Sequence, residues 1–147
     1  MQYLDATPFL VSLALATACG ASPPDAKNAA PPPATFTEQV AHGGELYGAH
    51  CSSCHGKGGE GTGNAPAVVG PTALPLDPPS GAKFRKSQFV TVADVAKFVV
   101  ENMPADAPNS LSEEDYFSVL AFDLHANGID LNEKLDGTLA ASLTIPR

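Results

Sequence analysis

Residues 51–55 read Cys51-Ser52-Ser53-Cys54-His55, and the spacing of these three reactive side chains governs the reading of the whole chain. Two thiols three positions apart can each add to one vinyl group of a single haem. A histidine directly after the second thiol then offers an imidazole nitrogen to the iron from the near side. Its other ring nitrogen is expected to be fixed by a backbone carbonyl or a similar acceptor. Two rival chemistries share the Cys-x-x-Cys spacing. A structural zinc site needs a second Cys-x-x-Cys or a Cys/His pair, which the sequence does not supply. A thioredoxin-like dithiol follows a strand, and no strand pattern precedes Cys51. The segment is therefore expected to hold one covalent haem c on Cys51 and Cys54, with His55 as an iron ligand.

A second axial ligand follows from simple arithmetic. The chain has two methionines, and Met1 belongs to the leader described below, so Met103 is the methionine left to the folded part. It closes a helical pattern and stands directly before Pro104, which fixes the turn. A thioether opposite histidine raises the potential of a haem, as suits a carrier on the oxidising side of a respiratory chain. The remaining histidines fit less well. His50 adjoins Cys51 and would have to reach the far face of the haem, while His42 and His125 lie within helical patterns.

Three segments have the periodicity of helices. The first runs from Glu38 to His50, opened by Thr37, with Val40, Gly44, Tyr47 and Cys51 on one side. The second starts at Thr91, whose hydroxyl forms a capping box with Asp94, and carries Val92, Val95, Ala96, Val99 and Val100 towards Met103. The third starts at Ser112 with Glu113, Glu114 and Asp115 at its positive end, and runs through Phe117, Leu120, Ala121 and Leu124 to an Asn127-Gly128 stop. Between the first two lies a long Gly- and Pro-rich loop, and a loop of that length in a compact domain usually wraps something. The last segment, 129–147, is expected to pack around the base of the domain.

Upstream of this unit the chain changes character. Residues 8–18, PFLVSLALATA, form an apolar run well short of the ~20 residues a membrane-crossing helix needs, and read as the core of a signal peptide spanning 1–18. Ala16, Thr17 and Ala18 lead into Cys19, an arrangement that resembles the bacterial lipoprotein cleavage box, with Cys19 as the lipid-bearing residue. An ordinary cleaved signal peptide with an incidental cysteine is the alternative. Residues 19–35 are rich in Pro and Ala with no apolar face, which describes a tether. The domain is then expected to occupy 36–147, exported to the periplasmic side of a bacterial membrane and held there by lipid.

The 147-residue chain has a formal charge of -8 and only eight Lys and Arg, a balance that argues against nucleic acid as a partner. Its 13 Gly, 14 Pro and absence of Trp place much of the backbone in loops and leave room for something beyond side chains in the core. The one basic cluster, Lys83, Arg85 and Lys86, reads as solvated surface, with haem propionates or an acidic partner as the alternatives.

From Phe36 to Gly128 the chain resembles the class I cytochrome c family. GGELYGAHCSSCHGKGGEGTG (43–63) is similar to the family's first helix, attachment motif and Gly-rich loop; ENMPADAP (101–108) resembles the distal methionine loop. NAPAVVGP (64–71) resembles the segment in which Pro66 would lend its carbonyl to the His55 ring while Val68 packs on the haem. SLSEEDYFSVLAFDLHANGI (110–129) is similar to the closing helix, which would cross the first through Gly43 or Gly44, Tyr47 and Tyr116 or Leu120. The resemblance implies an all-α fold of three main helices with long loops around one haem. It also implies single-electron transfer between redox proteins, from a donor dehydrogenase or cytochrome complex to an acceptor oxidase or reductase, with no catalytic residue of its own. The alternative is the haem-bearing subunit of a larger oxidoreductase such as a sulfite or alcohol dehydrogenase.

Overall fold

The structure, a computed structural model, describes residues 31–146. The leader, Cys19 and the tether up to residue 30 lie outside the described residues. From Pro32 onward the chain forms one compact unit. Its helices are α1 (Phe36–His50), α2 (Ser52–His55), α3 (Val92–Asn102), α4 (Glu113–Ala126) and α5 (Gly137–Ser142). Among the described residues the extended contacts amount to an isolated antiparallel bridge between Thr91 and Thr144, so the fold is all-α.

Helix α1 begins two residues earlier than Thr37 would have it. Thr35 is the cap: its hydroxyl accepts from the Glu38 amide, and the Glu38 carboxylate accepts in return from the amides of Ala34 (2.8 Å) and Thr35 (3.0 Å). Glu38, three residues on, completes the reciprocal box for Thr35 but not for Thr37, which decides the start. The same device opens α3, where Thr91 and Asp94 cap each other, and Ser112 caps α4 through the Asp115 amide. Asn127 ends α4, and Gly128 continues it at φ 79°, a left-handed conformation that glycine adopts without strain.

Helices α1 and α4 form the main packed pair. A Cβ built on Gly43 would lie 1.8 Å from the Ser118 carbonyl oxygen, so the two backbones touch at this point and only glycine fits. One turn on, the Tyr47 and Phe122 rings lie 5.0 Å apart. The aromatic partner across this crossing is thus Phe122, and Tyr116 is employed elsewhere.

The core continues under α4. Phe36, Phe89, Val92, Val95, Leu120, Ala121 and Leu124 pack with Leu135, Ala140 and Ile145 from the C-terminal segment. That segment does pack at the base, and it does so partly as α5, a helix not expected from its alternating pattern; the Asp136 carboxylate caps it by accepting from Leu139 N–H (2.8 Å). Gln39, wholly buried in α1, fixes the approach: its amide donates to the Leu135 carbonyl (2.9 Å) and accepts from the Leu135 N–H (2.7 Å). A buried amide with both ends paired ties the tail to the first helix.

Arg85 corrects the reading of the basic cluster. Lys83 and Lys86 are exposed, but Arg85 is buried. Its guanidinium donates to the Pro75 and Leu76 carbonyls, its Nε to the Ser87 carbonyl, and its carbon lies 3.5 Å over the Phe89 ring. Planar donors on one side and an aromatic face on the other explain why arginine, rather than lysine, pins this loop.

Candidate functional site: a cysteine-histidine segment and a methionine turn

The segment after α1 is folded back on itself by its own backbone. Cys51, at the end of α1, accepts from the amides of Cys54 (3.1 Å) and His55 (2.9 Å), which makes α2 a single turn that displays both thiols and the imidazole. The chain then reverses through glycines. Gly61, at φ 82°, donates to the His55 carbonyl (2.7 Å), and a Cβ there would meet the Ala67 backbone at 2.6 Å. The Gly59 carbonyl accepts from both Val68 (2.8 Å) and Val69 (2.9 Å). This return brings the Pro66 carbonyl to 2.8 Å from His55 Nδ1. With its proton held there, the imidazole keeps Nε2 as a free lone pair, the state a metal-ligating histidine needs.

Other contacts hold the loop from outside. Tyr47 donates to the Gly56 carbonyl (2.8 Å) and Thr62 to the Cys54 carbonyl (2.5 Å). From the end of α4, Asn127 donates through Nδ2 to the Val68 carbonyl (2.9 Å) and accepts at Oδ1 from Gly70 N–H (3.0 Å). Val68 is half-buried, as are Val69 and Leu74 beside it in sequence. Asn127 stands in the sequence as a helix stop; its amide also fastens the loop that carries Pro66 and Val68.

Met103 is the C-cap of α3, half-buried, with its N–H bonded to the Val99 carbonyl (2.8 Å). The buried Tyr116 of α4 donates its hydroxyl to the Met103 carbonyl (2.8 Å). Tyr116 and Asn127 are eleven positions apart on one helix, about 16 Å at 1.5 Å per residue. Helix α4 therefore ties down both the histidine loop and the methionine turn, one near each end. No sequence signal marked Tyr116 for this task, because a tyrosine on an apolar helix face reads as core.

The electrostatics discriminate between uses of the cysteine pair. Both thiols are free. Burial pushes the Cys51 thiol up to about 11, with further contributions from the nearby Asp123 and Cys54. Such a setting disfavours a thiolate at Cys51 and suits a neutral thioether there. Among the described residues no cluster of three or more His, Cys, Asp or Glu is arranged to hold a metal ion. His42 pairs with Asp115 (2.8 Å) and His125 with Asp130 (2.6 Å), and His50 is exposed at the end of α1. The donor set of Cys51, Cys54 and an oriented His55 thus fits a covalently bound haem.

Sequence reading passed over one further residue. Asp123 lies on the buried face of α4 between Leu120 and Leu124, and among the described residues its Oδ1 has no hydrogen-bond partner. Burial raises its carboxyl to about 7. A carboxylate interrupting the apolar 116, 120, 124 spacing is the signal that could have identified it.

Comparisons with known proteins agree with this geometry. The chain is 35% identical over 89 residues to a thiosulfate dehydrogenase of Allochromatium vinosum, covering 56% of this chain and 30% of that protein. It superposes on the sulfane dehydrogenase SoxCD of Paracoccus pantotrophus with a TM-score of 0.56 and 29% identity, over 73% of this chain and 53% of the other. It spans only part of each. Residues 38–122 match the family described as cytochrome c oxidase, cbb3-type, subunit III. That stretch is more than half of the chain and holds both the cysteine-histidine segment and the methionine turn, and the protein belongs to this family of c-type cytochromes.

Proposed function

We propose that this chain is a monohaem c-type cytochrome that passes single electrons. Cys51 and Cys54 would hold the haem by thioether bonds, and His55 and Met103 would be the residues that ligate its iron. The observation that carries the reading is the 2.8 Å contact between His55 Nδ1 and the Pro66 carbonyl, directly after a paired-thiol turn. When bound, haem c supplies a one-electron iron couple. The chain's residues do the rest. Pro66 fixes the tautomer and the ring plane of His55. Met103, set at the end of α3 and steadied by Tyr116, offers a neutral sulfur that favours the reduced state. Val68 would pack on the macrocycle. The domain is read as a carrier of electrons, with none of its residues given a part in making or breaking bonds of a substrate.

Export and anchoring complete the proposal. The apolar run of residues 8–18, the small residues before Cys19 and the Pro-rich stretch after it support a signal peptide over 1–18, a lipid on Cys19 and a tether to residue 35. The domain of residues 36–147 would then work at the periplasmic face of a bacterial membrane. Mass spectrometry of Cys19 separates diacylglycerol from a bare thiol. Among the described residues no helix is long and apolar enough to cross a membrane.

A second reading is that the domain serves as the haem-bearing part of a larger oxidoreductase. It is favoured by the two relatives, which are a thiosulfate dehydrogenase and a sulfane dehydrogenase. Stoichiometric co-purification with a catalytic chain supports this second reading, and a solitary chain that is reduced and reoxidised by separate proteins supports the first. The ligand assignment is tested by spectroscopy of the purified protein. A sharp low-spin spectrum on reduction is expected, and Met103→Ala should abolish the weak long-wavelength ferric absorption of sulfur ligation. Retention of that absorption in the variant would remove Met103 from the site.

A further inference from the structure

We propose that Asp123 is a proton site coupled to the electron the protein carries: its carboxyl takes up one proton when the iron is reduced and releases it on oxidation. This rests on the haem reading above. Asp123 is 8% exposed, enough for exchange with water but not for solvation of a charge, and its buried Oδ1 has no hydrogen-bond partner among the described residues. It lines a small cavity with Leu74 of the long loop, Val92 and Val95 of α3, Leu120 and Leu124 of α4, and Ile145 of the tail. None of these can titrate or offer a hydrogen bond from its side chain.

Burial alone raises the Asp123 carboxyl, and its charge in turn acts on two ionisable groups, Tyr47 of α1 and Cys51 at its end. Tyr47 has its hydroxyl committed to Gly56 and is pushed up to about 12 by burial first and the Asp123 charge second, so it stays neutral. Cys51, once its sulfur is a thioether, carries no charge. Among the described residues no hydrogen bond reaches the Asp123 Oδ1 to offset that burial. The Asp123 charge reaches Cys51, one of the two cysteines that would carry the haem. On the haem reading the iron would be the charge near this segment that changes during function, and a carboxylate would be favoured beside its oxidised form and disfavoured beside its reduced one.

The balance is one electron and one proton. Reduction by a one-electron donor adds the electron to the iron while a proton from water forms an O–H bond on Asp123. Oxidation by the acceptor removes the electron, and that bond breaks to return the proton to water. The pair gains no net charge in a poorly solvated interior, which lessens the electrostatic cost of reduction wherever the coupling operates.

Potentiometric titration of the full haem-loaded chain across neutral pH tests this. The wild type should show a midpoint potential that is flat at both ends of the range. Between them it should fall with rising pH by up to about 59 mV per unit, the one-electron equivalent of a tenfold change in proton binding. Asp123→Asn should be flat throughout, near the acid-side value of the wild type. A variant that keeps the wild-type slope, or a wild type without one, overturns the proposal. Should the variant not fold, reduced-minus-oxidised infrared spectra of the wild type decide. They should show a deuterium-sensitive protonated-carboxyl band gained on reduction, and its absence overturns the assignment. A wild-type chain without covalent haem overturns both readings, whereas a haem protein with a flat potential overturns this one alone.

Discussion

The histidine loop, residues 51–70, and the methionine turn, residues 99–109, are held by opposite means. The loop is fastened at many points along its length, by Gly59 and Gly61 from within and by Tyr47 and Asn127 from without. The turn depends on the last helical bond of α3, a few backbone contacts from Pro104 and Val100, and one tyrosine hydroxyl. A densely bonded segment holds its ligand in one geometry and opens only with the fold, while a sparsely bonded one can open locally. Under the proposed ligation, His55 should therefore stay bound under stress that releases Met103.

The largest effect is expected where both regions share a support. Gly43→Ala drives a Cβ into the Ser118 carbonyl and separates α1, which leads into the loop, from α4, which braces the turn. The loss should be about 3 kcal/mol or more, read by chemical denaturation, with both ligands disturbed together. Asn127→Ala comes next and should divide the regions. It removes two hydrogen bonds to the loop, for about 1–3 kcal/mol, and should accelerate hydrogen exchange at Val68, Val69 and Gly70 while sulfur ligation is retained. Tyr116→Phe is the converse, a loss of about 1 kcal/mol that should make the sulfur absorption vanish at a lower temperature than in the wild type, before global unfolding. If Tyr116→Phe instead loosened the loop, the two regions would not be separable. The smallest effect is expected from Thr91→Ala, a cap worth about 1 kcal/mol at the far end of α3, read as a modest fall in Tm with both ligands in place.

The difference between the regions also explains what the sequence disclosed. The capping pair Thr91 and Asp94, the acidic first turn after Ser112 and the Asn127-Gly128 stop are local chemistry, and α3 and α4 begin and end where those residues say. Helix α1 starts two residues before the Thr37 expectation because two threonines compete and only Thr35 has Glu38 at the required spacing. Helix α5 was missed because six residues carry little periodicity, and its register comes from tertiary packing of Leu135, Ala140 and Ile145. At the candidate site, the sequence displays the residues with unusual chemistry on which the proposal rests: two thiols, one adjacent imidazole and one thioether. Their supports are not legible in this way. Tyr116, Asn127 and Asp123 act through contacts between residues distant in sequence, and Arg85 looked like surface because its carbonyl and aromatic partners are set by the fold of the loop.

The central claim, one haem held covalently by Cys51 and Cys54, is tested most directly by acid-acetone extraction of the purified protein followed by intact-mass measurement. The account predicts that the colour stays with the polypeptide and that its mass exceeds that of the chain by one haem. In the Cys51→Ala, Cys54→Ala double variant, haem should extract freely. Haem that leaves the wild type, or that resists extraction from the double variant, would contradict it.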